Sequence, residues 1–143
     1  MEYPAKFTPA AEGGFVIEFP DFSWGVSQGD SEEDARRMAY DLLVTLIQDH
    51  IKCGEELPRP GNKLRGKNLR MIRLSALHSV KVELYQAFRA SGMRKAELSR
   101  HLAIPKTVID RLFNLNNRTR LDQIESAFNA LGKRVDVNVR DAA

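Results

Sequence analysis

Lys95-Ala-Glu-Leu-Ser-Arg-His-Leu-Ala-Ile-Pro-Lys-Thr-Val-Ile-Asp-Arg-Leu-Phe-Asn114 is the stretch on which the reading of this chain turns. It reads as two short helices, about 94–102 and 105–114, joined by a tight turn. Leu98, Leu102, Ile104, Ile109 and Leu112 supply a core between them, and the small Ser99 and Ala103 let the two helices approach. Pro105 suits the first turn of the second helix, where its missing N–H costs nothing. Lys106, Thr107, Asp110 and Arg111 are then left on the exposed side. This is the helix-turn-helix arrangement, which lays its second helix in the major groove of DNA.

The outward residues have the chemistry for that task. Arg and Lys donate to guanine O6 and N7, and Thr meets a thymine methyl or a phosphate. Asp110 repels phosphate unless it is paired; otherwise it is suited to accept from cytosine N4. Lys95 and Arg118 are placed for phosphate, and Asn114, Asn116 and Asn117 are within reach of the backbone. The plainer reading is a helical bundle with solvated basic side chains. Spacing, small residues, charge and flanking helices together favour DNA.

The elements around this stretch complete a four-helix domain. Ser75 opens its first helix as a cap, with Leu77, Val80, Leu84, Ala87 and Phe88 as the apolar stripe. Thr119 is expected to cap the last helix, with Leu121, Ile124, Phe128 and Leu131 on one face and Gly132 as the stop. Val135, Val137 and Val139 alternate with polar residues, the pattern of a one-sided strand. A lone terminal strand is not stable by itself, so these three residues are the candidates for pairing with a second copy.

Ahead of this domain the charge reverses. Residues 1–60 carry 5 Lys/Arg and 12 Asp/Glu, a net of −7, and residues 61–143 carry 17 and 7, a net of +10. Two halves of opposite sign suggest two partners. Tyr3–Thr8 and Phe15–Phe19 read as a hairpin closed by Gly13-Gly14, Trp24–Gln28 as a third strand, and 68–74 as a fourth. Ser31 caps a helix expected over 32–52, with Glu32, Glu33 and Asp34 at the positive end of its dipole. Residues 55–67 read as loop. The expected fold is α+β: a ββ(β)αβ domain over 1–74, then a four-helix domain with a C-terminal strand over 75–143.

Other function classes find little support. The longest nearly apolar run, Leu42 to Ile47, is too short to span a bilayer. One cysteine, Cys53, rules out an intrachain disulfide, and the opening residues lack a secretory segment, so a cytoplasmic protein is expected. Cys53 reads as a buried or inert thiol, His50 as a helix-surface residue, and Trp24 as a packing residue. His50, His78 and His101 have no metal-ligand spacing. Glu18, Asp21 and Asp41 are the acids that a Mg²⁺-dependent nuclease would gather, but solvation and the helix dipole explain most acids here. No cofactor and no metal are expected. A stand-alone regulator with a ligand-sensing first domain is the alternative from another class.

A family resemblance runs through nearly the whole chain. Tyr3-Pro4, Thr8-Pro9-Ala10, Glu12-Gly13-Gly14-Phe15, Phe19-x-Asp21, Gln28-Gly29, Ala35 in the first helical turn and Leu57-Pro58-x-Pro60 resemble the HicB antitoxins. Leu74-Ser75 and Ala130-Leu131-Gly132-Lys133 are similar to the subset with a C-terminal helix-turn-helix. Leu112-Phe113-Asn114 resembles phage repressors. Ser23-Trp24 departs from the pattern, standing near where many relatives have Pro-Gly. The resemblance implies a partly RNase H-like first domain without a catalytic carboxylate set. It also implies a HicA-type toxin as partner, a ribonuclease that cleaves mRNA using a histidine, and repression of the antitoxin's own operon as a homodimer or higher homo-oligomer. An acidic surface suits a partner that must bind RNA. Glu12, Asp21, Glu32 and Glu33 are the candidate toxin contacts.

Overall fold

Strand β1 (Glu2–Pro9) alternates in its burial from Ala5 to Thr8, and the alternation sets up the first half of the molecule. Tyr3, Ala5 and Phe7 are fully buried on one side, while Lys6 and Thr8 face out. The computed structural model describes residues 1–61 and 66–142. Part of the loop expected at 55–67, residues 62–65, lies outside the described residues.

β1 pairs antiparallel with β2 (Phe15–Glu18) on one side and β4 (Leu69–Arg73) on the other, and β3 (Val26–Gly29) adds to β2. The order is β3-β2-β1-β4. Helix α1 (Glu32–Lys52) crosses from one edge strand to the other and packs on the Tyr3–Ala5–Phe7 side. Its apolar spacing brings Ala35, Ala39, Leu43, Leu46 and Ile47 to that face, all fully buried. Gly29 is required where β3 meets α1, because a Cβ there would lie 2.4 Å from the Ala35 Cα. The hairpin between β1 and β2 closes through Ala10 N–H donating to Gly14 C=O at 3.0 Å, with Gly13 and Gly14 both at positive φ.

α1 starts as its sequence requires. Ser31 Oγ accepts from Asp34 N–H at 3.1 Å, and the Asp34 carboxylate reaches back to Asp30 N–H at 2.9 Å. Cys53 caps the other end and is exposed, so of the two readings, buried or inert, burial does not hold. His50 is also corrected. It is not a surface residue: its side chain is 14% exposed, its ring meets Phe22 edge-on, and Nδ1–H donates to Leu46 C=O.

Four helices follow: α2 (Ala76–Ser91), α3 (Lys95–Leu102), α4 (Lys106–Leu112) and α5 (Leu121–Ala130). The chain divides into two compact units, Met1–Ser79 and Val80–Ala143. The opening turn of α2 belongs to the first unit for a chemical reason. Ser75 Oγ caps His78 N–H, Ser75 N–H donates to the Tyr40 hydroxyl, and that hydroxyl bonds His78 Nδ1 at 2.7 Å. The core of the second unit is built from Leu84, Leu98, Ile109, Leu112, Ile124 and Ala127, all fully buried.

Three expectations fail here. Thr119 does not cap α5; Arg120 holds that position without a side-chain cap, and Asp122 accepts from Gln123 N–H instead. The stripe of α2 is centred on Lys81, Leu84 and Tyr85, not on Val80 and Ala87. No strand forms at Val135, Val137 and Val139. Residues 133–142 carry no regular structure, and Val137 and Val139 are exposed. A strand needs a ladder partner for its N–H and C=O groups, and this segment has none among the described residues.

The division also moves the charge. Residues 61–79 return five cations to the first unit, which nets −2 over residues 1–79 against +5 over residues 80–143. Acidity is therefore a property of one part of the first unit. From Phe7 to Ala35 the chain carries seven carboxylates and no Lys or Arg.

Candidate functional site

The α3–α4 segment is shaped by its turn. Ala103 caps α3 at φ 53°, ψ 43°, a left-handed conformation that costs a non-glycine residue about 1 kcal/mol. Its N–H and that of Ile104 still find the last carbonyls of α3. Ser99 does more than leave room: its hydroxyl donates to Ile104 C=O across the turn. Pro105 sits at the cap position of α4, with no N–H to leave unsatisfied.

α4 then buries Ile109 and Leu112 and exposes Lys106, Thr107, Asp110 and Arg111 on the opposite side. Lys95, from the first turn of α3, ends on the same surface: its Nζ lies 2.8 Å from Asp110 Oδ1. The acid that would repel phosphate unless paired is thus held by a cation. Both partners are about half exposed, so the pair contributes at most about 1 kcal/mol to stability. Its larger effect is to remove a bare negative charge from an otherwise cationic row. Asn114, at the end of this segment, is half-buried and has its Oδ1 occupied by Asn116 N–H. Asn117 is half-buried and Arg118 exposed.

Lys81 was missed by sequence reasoning and fixes this surface from behind. Its side chain is 0% exposed, and Nζ donates to the carbonyls of Arg111 at 3.0 Å, Asn114 at 2.7 Å and Asn117 at 2.6 Å. One ammonium thus meets the orphan carbonyls at the end of α4 and of the turn beyond it. Burial pushes its pKa down to about 8. The three carbonyls pull the other way, since the ammonium has a donor for each and the neutral amine has two. A signal existed in the sequence: Lys81 stands four residues after Leu77 and three before Leu84, on the apolar stripe itself.

The candidate toxin contacts separate into two kinds. Glu32 is held by Arg70 at 2.7 Å and Arg36 at 3.2 Å. The hydrogen bond from Arg70 is the main cause that keeps its carboxyl below the usual range. Asp21 accepts from Gly61 N–H at 3.0 Å and anchors the loop there. Glu12 and Glu33 are exposed and have no ion-pair partner among the described residues. Trp24 is not a packing residue: it is 49% exposed. Among the described residues no three His, Cys, Asp or Glu side chains gather as a metal site, and no helix is long and apolar enough to cross a membrane.

A sheet-and-helix unit with an acidic segment, followed by a helical unit with a cationic row, defines an α+β protein of two compact parts. Residues 2–83 match the HicB-like antitoxins of bacterial toxin-antitoxin systems, and the chain belongs to that family. It is 34% identical over 137 residues to Antitoxin HicB of Escherichia coli, covering 96% of this chain and 98% of that one. It is 30% identical over 139 residues to Antitoxin HicB 1 of Photorhabdus laumondii, covering 97% and 87%. A toxin-antitoxin complex from Streptococcus pneumoniae aligns at 30% identity and a TM-score of 0.41, over 46% of this chain and 48% of that one. The chain is an antitoxin of a toxin-antitoxin system, and it is not an enzyme.

Proposed function

We propose that this antitoxin neutralises a HicA-type mRNA-cleaving toxin by direct binding and represses its own operon, in the cytoplasm. The toxin-facing part is the first domain, 1–74, read as a partly RNase H-like fold. The match to the antitoxin family over residues 2–83 supports that placement.

The second domain, 75–143, is read as a helix-turn-helix that binds operator DNA. The observation carrying this reading is the row Lys106, Thr107, Asp110 and Arg111, exposed on α4 while Ile109 and Leu112 are buried opposite. In this reading Lys106, Thr107 and Arg111 meet base edges, and Asn114, Asn117 and Arg118 meet phosphates beyond the helix. Lys95 serves phosphate while neutralising Asp110. Self-association runs through Val135, Val137 and Val139, which gain a strand partner from a second copy.

Co-expression with the small protein encoded beside this chain tests the toxin half: growth rescue and co-purification are expected, and continued toxicity without a complex overturns it. For the DNA half, Lys106→Ala with Arg111→Ala lowers operator affinity about a hundredfold or more and leaves toxin binding intact. Operator affinity within a factor of two of the unaltered chain removes α4 as the reader. Deleting residues 134–143 lowers the mass seen by light scattering; an unchanged mass removes the terminal strand as the contact.

A further inference from the structure

We infer that the exposed edge of the sheet at β3, centred on Trp24 and Val26, is where the toxin docks, and that it accepts a basic surface carrying an apolar or guanidinium side chain. This deepens the toxin-binding reading above and rests on it.

Trp24 and Val26 are 49% and 64% exposed. Together with Lys6, Glu18 and Phe22 they line an open groove of about 460 Å³. The floor is set by register: Lys6 lies opposite Glu18, and Glu18 opposite Val26, so the three form one row across β1, β2 and β3. A half-exposed tryptophan beside an exposed valine is an unusual surface to leave in water, and Trp is the residue most enriched among interface hot spots. β3 is also an edge strand, short at four residues but with no Lys and no Pro in Val26–Gly29 to blunt it.

Charge selects the occupant. Glu18 stands in the groove itself, within a segment, Phe7 to Ala35, of seven carboxylates and no Lys or Arg; of the seven, Glu32 and Asp34 are paired with arginines of α1 and β4. Glu12, Glu18 and Glu33 have no ion-pair partner among the described residues. A nucleic acid is repelled by such a field, and a second copy pairing edge to edge brings the same negative charge with it. A toxin that must hold RNA has the complementary sign. An arginine from it is able to stack on the Trp24 ring with its charge toward Glu18. Lys6 shares the groove and limits the depth to which that charge enters.

The test uses the full-length chain and the small toxin protein encoded beside it. Trp24→Ala weakens toxin affinity by about thirtyfold, the factor expected for an interface hot spot. Trp24→Phe recovers most of the loss. Val26→Lys weakens binding further at low salt than at high salt, because it places a cation against a basic partner. Both positions are exposed, so melting and operator binding stay as in the unaltered chain. Trp24 is the chain's single tryptophan, and the emission present in the wild-type complex but absent with Trp24→Phe shifts to shorter wavelength on binding. Toxin affinity within a factor of two for Trp24→Ala and Val26→Lys overturns the inference and leaves the antitoxin reading standing. A change in self-association without a change in toxin affinity also overturns it, assigning the edge to a second copy. Absence of toxin binding by the unaltered chain overturns the toxin reading, and this inference with it.

Discussion

The two units bury different things. In the first, every fully buried large side chain among the described residues is apolar or a tyrosine, and the Tyr3 hydroxyl leaves the core to bond Pro58 C=O. In the second, a lysine is buried as fully as Leu84, Leu98 and Ile109, at 0% exposure. The first unit is held by a sheet ladder and a helix face, both of which satisfy their own backbone. The second consists of short helices, and α4 is only seven residues long. Short helices leave a large share of their carbonyls without partners. A buried lysine is one way to supply three donors at once.

Lys81→Met breaks this contrast with the largest effect. It keeps the aliphatic stem and removes the donors from three carbonyls, so the second unit loses about 3 kcal/mol. Chemical unfolding read by amides of the second unit reports the loss, while those of the first unit keep their midpoint. A midpoint unchanged in both units means that the three bonds contribute nothing net.

A smaller effect sharpens the same contrast through pH. Burial lowers the folded-state pKa of Lys81 to about 8 from 10.5. Between those values the folded chain holds fewer protons than the unfolded one, so stability rises as pH climbs from 8 to 10.5. The cost of the buried charge is fully present below pH 8. The expected gain is roughly 1–2 kcal/mol in the second unit, reduced from the full linkage value by the carbonyls that favour the charge. The difference between the unaltered chain and Lys81→Met isolates it, and a pH-independent difference breaks it.

The smallest effect belongs to the turn. Ala103→Gly relieves a left-handed alanine and adds unfolded-state entropy, so the second unit gains about 0.5 kcal/mol. Loss of stability on this substitution removes turn strain as a factor.

Legibility followed the same division. The hairpin, the third and fourth strands and α1 were readable because alternation and three-to-four spacing are imposed by burying one face, and the first unit has clean faces. α3 and α4 were readable for the same reason, together with the break at Ala103-Ile104-Pro105. The stripe of α2 was misread because only apolar residues were counted toward it, and a lysine joins such a stripe when carbonyls wait for its ammonium. Trp24 was misread in the opposite sense: an aromatic residue in an apolar context reads as core, and only the path of the chain around Gly25 leaves it outside. The valines at 135–139 have strand spacing, but spacing supplies no partner.

The sequence by itself determined the element types apart from the terminal strand, the charge-bearing row of α4 and the antitoxin resemblance, because these rest on local spacing and on residue order. Tertiary structure alone decided that Lys95 neutralises Asp110, that Lys81 gathers three distant carbonyls, and that Lys6, Glu18 and Val26 align beside Trp24. Each of these joins residues far apart in the chain, and such meetings are set by packing and register, which no local pattern encodes.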